Sequence, residues 1–185
     1  MRWVSPFDNL SNSARKRVIF ASLLMSAILL FAMRTIDAPL RTSTAPRGIV
    51  SFELAKNYDR SQQILNSWNT EAKINAALSL GLDFLFLITY VLFISASCIQ
   101  VAAAIKVDHS IFLNTAVVLA WAQFLAAILD AIENLALIQL LLNSSHQWLP
   151  CLARWCAIMK FSIVGAGLIF LSGGLLLIGL KKIFK

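Results

Sequence analysis

The sequence predicts an all-α fold, an integral membrane four-helix bundle that forms a single membrane domain over residues 1–185 and has short interfacial helices in its first extramembrane loop. Two features of the composition predict it: 59% of the residues are hydrophobic and only 14% are charged. An ordinary soluble domain carries roughly 25% charged residues, so lipid must face much of this surface. The mean hydropathy of +0.76 agrees with this.

Four apolar runs are long enough to span a membrane, since crossing the hydrocarbon takes about 20 mostly apolar residues. They lie at roughly residues 18–36, 76–99, 112–142 and 155–178. The first is interpreted as a retained helix rather than a signal peptide, because no cleavage-like triplet lies at its end. Short loops at 106–110 and 143–149 make the last three spans antiparallel neighbours.

The polar stretch of residues 37–75, between the first two spans, is predicted to be amphipathic. Its first part, up to Gly48, is rich in turn-forming residues. From 49 to 68, apolar residues recur at near-helical spacing. One or two short helices are therefore expected in the membrane interface, with Ser51 and Asp59 as their N-caps.

The basic residues predict that both termini lie in the cytoplasm. An even number of spans places both ends on one side, and each side then holds eight Lys and Arg residues. The positive-inside rule gives most weight to charges next to the spans, and the densest such clusters are 15–17 and 181–185. Trp68, Trp148 and Trp155 are then expected to form an interfacial belt on the outer side.

The charge distribution, the cysteine and histidine counts and the missing motifs argue against several classes of function. The net charge of +7 could suggest a nucleic-acid partner, but Lys and Arg cluster at the ends of apolar runs, where they anchor helices in a lipid bilayer. Three cysteines without a CxxC motif and only two histidines predict no metal site. No nucleotide loop or nucleophile elbow is present, so no cofactor is predicted and no catalytic residue is assigned.

Ionisable side chains inside the predicted spans need a physical reason, because each costs roughly 2.5–3.5 kcal/mol at a helix centre. Spacing places Asp130, Glu133 and the amide Asn134 on one face of the third span, at i, i+3 and i+4. It also places Asp83 and Tyr90 on one face of the second span. A rise of about 1.5 Å per residue puts the three acids at matching depth with a lysine of the fourth span, in the outer half. The candidate polar pocket comprises Asp83, Tyr90, Asp130, Glu133, Asn134 and Lys160.

Three interpretations of this cluster stay open. It can be a structural network that fixes the helix register, a pocket that binds a ligand or relays a proton, or a charged face for a partner subunit. Three carboxylates face Lys160, with Arg34 or Arg154 as further candidate partners. At least one of the acids is therefore expected to be unpaired and neutral.

Four segments of the chain resemble a group of small uncharacterised bacterial membrane proteins. These segments are GIVSFELA, LGLDFLFLITY, LDAIENLALIQLLL and ARWCAIMKF, and the likeness covers residues 48–161. The resemblance implies a bacterial origin, hence an inner-membrane location, and a four-helix layout. It implies no activity.

The predicted function is that of a small membrane protein that binds a lipophilic ligand or serves as an accessory subunit of a membrane complex. The alternative is a membrane enzyme acting on a lipid-soluble substrate. In that case Asp130 or Glu133 would be the general acid or base, and Tyr90 or Lys160 would polarise the substrate. Proton-coupled transport is a third class, and it would require a four-helix chain of this length to dimerise.

Overall fold

The computed structural model describes residues 4–105 and 110–183, and this part of the chain forms helices joined by turns and loops, without strands. Its helices are α1 (Asn12–Ile36), α2 (Ile49–Glu53), α3 (Tyr58–Ser67), α4 (Thr70–Ile105), α5 (Ser110–Leu141) and α6 (Leu149–Ile183). The prediction of an all-α fold is confirmed, and α1, α4, α5 and α6 are long and apolar enough to cross a membrane. The loop predicted at 106–110 lies, up to residue 109, outside the described residues.

Three of the long helices extend past their predicted spans. α1 begins six residues before residue 18, α4 adds about two turns at each end, and α6 begins at Leu149 instead of near 155. Hydropathy marks only the apolar part of a helix, whereas backbone hydrogen bonding continues into polar flanks that favour helix. The extra first turns of α1, α4 and α6 carry charged side chains, whereas the extra last turns of α4 are mostly apolar and pack in the core through Val101 and Ile105.

α4 is the central helix of the bundle. It packs along α1, α5 and α6, and α5 in turn packs along α6. Ala96, Ala116 and Ala120 are fully buried where α4 meets α5, which lets these two helices approach closely. Within the described residues, α1 and α6 share no extended interface. A groove floored by α4 therefore separates α1 from α6.

The two short loop helices form where helices were predicted, but both predicted N-caps, Ser51 and Asp59, are wrong. α2 follows Gly48, and α3 follows Asn57, whose Oδ1 accepts a hydrogen bond from the backbone N–H of Arg60 at 2.9 Å. Asn57 is the cap because its extended backbone turns its side chain back toward the free N–H groups, whereas Asp59 already lies in the first turn.

The apolar sides of α2 and α3 pack onto the long helices. Phe52 of α2 and Ile64 of α3 are buried in one core with Leu80 of α4 and with Leu137 and Leu140 of α5. Phe52 and Ile64 were expected to face the membrane interface, and they are buried between helices instead. Burial against neighbouring helices removes their apolar surface from water as effectively as lipid does.

The predicted tryptophan belt is wrong in one member. The side chain of Trp68 is 3% exposed, and its Nε1 donates a hydrogen bond to the carbonyl oxygen of Leu40 at 2.8 Å. Trp148 and Trp155 are exposed at 57% and 58%. Trp68 therefore joins the end of the loop to its beginning, because its N–H finds a hydrogen-bond partner there.

Candidate ligand site between α1, α4 and α6

Asp130 of α5 is the centre of a buried network of polar side chains. Its Oδ1 accepts a hydrogen bond from Lys160 Nζ of α6 at 2.5 Å, and its Oδ2 accepts one from the Tyr90 hydroxyl of α4 at 3.0 Å. Lys160 Nζ also lies 2.9 Å from Glu133 Oε2, at an ion-pair distance but at angles unsuited to a hydrogen bond. The prediction that Lys160 lies within reach of Asp130 or Glu133 is confirmed for both acids.

The remaining two predicted residues form a second, adjacent pair. Asn134 Nδ2 donates a hydrogen bond to Asp83 Oδ2 at 2.7 Å, which links α5 to α4. Asp83 has no ion pair with Lys160 in the described part of the chain. Arg34 is exposed, and neither it nor Arg154 forms an ion pair there, so the suggestion that either supplies a second cation finds no support.

Glu53, the last residue of α2, adds a fourth carboxylate that sequence analysis assigned to the loop. Its side chain is 8% exposed, and its Oε2 has no hydrogen-bond partner among the described residues. Burial raises the pKa of Glu53, and the charge of Asp130 raises it further, whereas the Lys160 ammonium opposes both. The signal in the sequence is its i+4 spacing from Ile49, which places a carboxylate on the apolar face of a short helix.

Asp37 holds α2 in position at the end of α1. Its Oδ1 accepts a hydrogen bond from the backbone N–H of Ile49 at 2.7 Å, and Arg41 Nε lies 3.7 Å from its Oδ2. Gly48 has φ of +57°, and a Cβ there would collide with the Asp37 carboxylate. Burial raises the pKa of Asp37, and the hydrogen bond from Ile49 and the charge of Arg41 oppose that shift. This contact connects the end of α1 to the helix that carries Glu53.

A cavity of about 500 Å³ lies between α1, α4 and α6. Six of its lining residues are polar or charged, and they come from the five helices α1, α2, α4, α5 and α6: Ser26, Glu53, Asp83, Tyr90, Asp130 and Lys160. The rest of its wall is almost entirely apolar and aromatic. Its volume falls in the range of about 300–1,000 Å³ that is typical of ligand sites. Glu133 and Asn134 do not line it and support the residues that do.

The rim of the cavity is apolar. Leu23 and Leu30 of α1 and Phe161 and Leu168 of α6 line it, and each is about half exposed, between 44% and 56%. Because the described parts of α1 and α6 share no extended interface, these side chains flank the gap between the two helices. The entrance to the cavity is therefore lined by apolar side chains, and the charged residues are buried deeper in the cavity.

No protein family matches the chain, and no curated protein or solved structure matches it. The resemblance to small bacterial membrane proteins stays a prediction.

Proposed function

We propose that this protein crosses a membrane through α1, α4, α5 and α6 and binds a lipophilic ligand in the cavity between α1, α4 and α6. The observation that supports this best is the change in the cavity lining from charged to apolar along the bundle. Large apolar side chains also cover the outside of the long helices, as Phe20, Phe31 and Ile169 show with exposures of 70–76%. Such a surface suits lipid. An accessory role in a membrane complex stays a prediction from the sequence.

The dimensions of the cavity indicate the shape of the ligand. On α6 its lining runs from Lys160 to Leu168, which at 1.5 Å per residue is about 12 Å along the bundle. On α1 it runs from Leu30, near the loop that carries Glu53, to Leu23 farther from that loop. A molecule with a polar group at one end and an apolar body about that long matches both walls.

The gap between α1 and α6 supplies a route of entry from the bilayer. Its rim is apolar, so a lipophilic molecule could pass without exposing its body to water. α1 is fixed against α4 by a buried hydrogen bond from Ser26 Oγ to Thr89 Oγ1 at 2.9 Å, at the level of the cavity. Because α1 is held on α4 and shares no extended interface with α6 in the described part of the chain, the gap between α1 and α6 stays open.

We place the protein in a bacterial inner membrane with both termini in the cytoplasm. The basic clusters at 15–17 and 181–185 support this orientation, and the resemblance to bacterial membrane proteins supports the location. The charged end of the cavity then lies in the outer half of the membrane. A ligand would be drawn from the outer leaflet.

The proposal is tested by enlarging a side chain of α1 so that it fills the cavity. Ala27 lines the cavity, whereas Ala21 is exposed on the same helix outside it. Proteins carrying Ala27→Trp or Ala21→Trp are purified in parallel with the wild type, and their bound lipophilic molecules are extracted and identified by mass spectrometry. The wild type and Ala21→Trp should retain the same molecule above the level of bulk lipid, and Ala27→Trp should lose it. Equal retention by all three proteins contradicts the proposal.

A second candidate, acid–base catalysis on a lipid-soluble substrate, is favoured by one observation. The Tyr90 hydroxyl, the Asp130 carboxylate and the Lys160 ammonium form a continuous hydrogen-bonded chain at the cavity wall. Such a chain can hold or deliver a proton at the reacting group. Tyr90→Phe separates the two functions: a binding protein should keep its ligand unchanged, whereas an enzyme should accumulate unconverted substrate in place of product.

A further inference from the structure

The carboxylates of the cavity region outnumber the cation that pairs with them. Glu53, Asp83, Asp130 and Glu133 are all buried, and among the described residues Lys160 is the one cation at ion-pair distance from any of them. Asp130 and Glu133 hold its ammonium group between them. Glu53 and Asp83 therefore lie in the cavity wall with no cation of the described residues at ion-pair distance.

Glu53 and Asp83 also have free capacity to accept hydrogen bonds. Glu53 Oε2 is buried without a hydrogen-bond partner in the described part of the chain, and Asp83 accepts a bond from Asn134 through one oxygen only. A buried carboxylate that lacks a partner is costly, so it favours a bound proton or a bound cation. Both residues line the cavity, where a ligand could supply that cation.

Aromatic rings line the same cavity. They belong to Phe86, Tyr90, Phe93 and Phe161. Aromatic faces attract cations within about 6 Å of the ring centroid. Lys160 Nζ already lies 5.1 Å from the Phe161 centroid, so one of these rings faces a cation in the free protein. Rings and carboxylates together favour a positively charged group over a negatively charged one.

We infer that the cavity selects a lipophilic amine, whose ammonium group is bound by Glu53 and Asp83 while its apolar body lies between α1 and α6. This inference rests on the proposed function and adds the chemical class of the ligand. An anionic head group would face the same carboxylates and would find Lys160 already paired with two acids. A neutral head group would accept or donate hydrogen bonds but would leave the excess negative charge uncompensated.

Three probes that share one alkyl chain test the inference: dodecylamine, dodecanol and dodecanoate. The full-length protein is reconstituted in nanodiscs of zwitterionic phosphatidylcholine at neutral pH, and binding is measured by native mass spectrometry. Charge-assisted hydrogen bonds predict that dodecylamine binds about tenfold or more tightly than dodecanol. Dodecanoate should bind most weakly.

Variants assign the selectivity to the two carboxylates. Glu53→Gln and Asp83→Asn should each weaken binding of dodecylamine about tenfold and leave binding of dodecanol nearly unchanged. Glu71→Gln is the matched control, because Glu71 is an exposed carboxylate in the first turn of α4 and does not line the cavity. The comparison of the three probes on the wild type stands even where a variant fails to fold.

The outcomes separate the inference from the function on which it rests. Equal binding of dodecylamine and dodecanol, with both blocked by Ala27→Trp, overturns the selectivity for an amine. The cavity would then still be a site for lipophilic ligands. An amine preference that survives both Glu53→Gln and Asp83→Asn, or that falls equally in Glu71→Gln, also overturns it. Binding of all three probes that Ala27→Trp does not affect counts against the cavity as a ligand site altogether.

Discussion

Lys160 is the residue whose loss should most disturb the buried network. Lys160→Met removes the ammonium group and leaves Asp130 and Glu133 without a counter-charge, which is expected to cost about 3–5 kcal/mol of folding free energy. Asp130→Asn removes one of the two charges that hold the lysine. The double variant should lose clearly less stability than the sum of the two single losses, because the two side chains interact directly.

Reversible unfolding of the detergent-solubilised protein measures this coupling. Lys56→Met provides the control, since Lys56 is exposed in the loop and should contribute little. Losses that simply add would show that Lys160 and Asp130 are independent and that the network is not a unit.

Glu53 makes stability depend on pH. Its pKa is raised, chiefly by burial, with the charges of Asp130 and Asp37 adding to the shift and the Lys160 charge opposing it. A carboxyl group with a raised pKa binds its proton more tightly in the folded state. Its contribution to stability is therefore present at low pH and is lost as the pH rises through the raised pKa.

The prediction is a melting temperature that falls as the pH rises from acidic values through the pKa of Glu53. In Glu53→Gln this fall should be smaller, because the amide does not titrate. The same protonation should weaken the binding of dodecylamine at low pH. Identical pH profiles for the wild type and Glu53→Gln would show that Glu53 does not titrate in the folded protein.

At the scale of elements, the position of α2 depends on its link to α1. Gly48→Ala puts a Cβ at φ of +57° and into the Asp37 carboxylate, which accepts the hydrogen bond that begins α2. A side chain in this backbone region costs about 1–3 kcal/mol. We expect lower thermal stability together with weaker binding of dodecylamine, because α2 carries Glu53.

Gly81→Ala is the matched control for this change. Gly81 lies inside α4, and a Cβ there would meet nothing within 4 Å. Alanine in a helix is favoured over glycine by about 0.5–1 kcal/mol, so stability should be kept or should rise. If Gly48→Ala behaves like Gly81→Ala in both measurements, the link between α1 and α2 does not position the site.

At the scale of the whole molecule, the proposed orientation predicts which positions an impermeant reagent reaches in intact cells. Cys151 is exposed at the start of α6, so it is first replaced by serine. In that background, a cysteine at Thr44 should react with an impermeant maleimide, and a cysteine at Lys181 should react only after the cells are permeabilised. Cys98 and Cys156 are buried and should stay silent. The reverse labelling pattern would invert the topology.

Much of this molecule follows from local features of the sequence. Apolar runs of sufficient length predict the four long helices, because backbone groups in hydrocarbon must be hydrogen-bonded within the segment. The i, i+3, i+4 spacing of Asp130, Glu133 and Asn134 predicts a shared face, because the helical period fixes it. Counting residues from the helix ends also predicts that Asp83 and Lys160 lie level with the acids of α5, and the structure brings both into one cavity wall with Asp130.

Only the tertiary structure decided what these residues contact. It pairs Asp83 with Asn134 instead of Lys160, and it brings Glu53 from the loop into the cavity wall. It also buries Trp68 under the loop, where the sequence suggested an interfacial side chain. Helical period and depth depend on one segment at a time and can be read from it. Partners across helices depend on rotation, tilt and the folding back of a loop, which are set by packing between segments far apart in the chain.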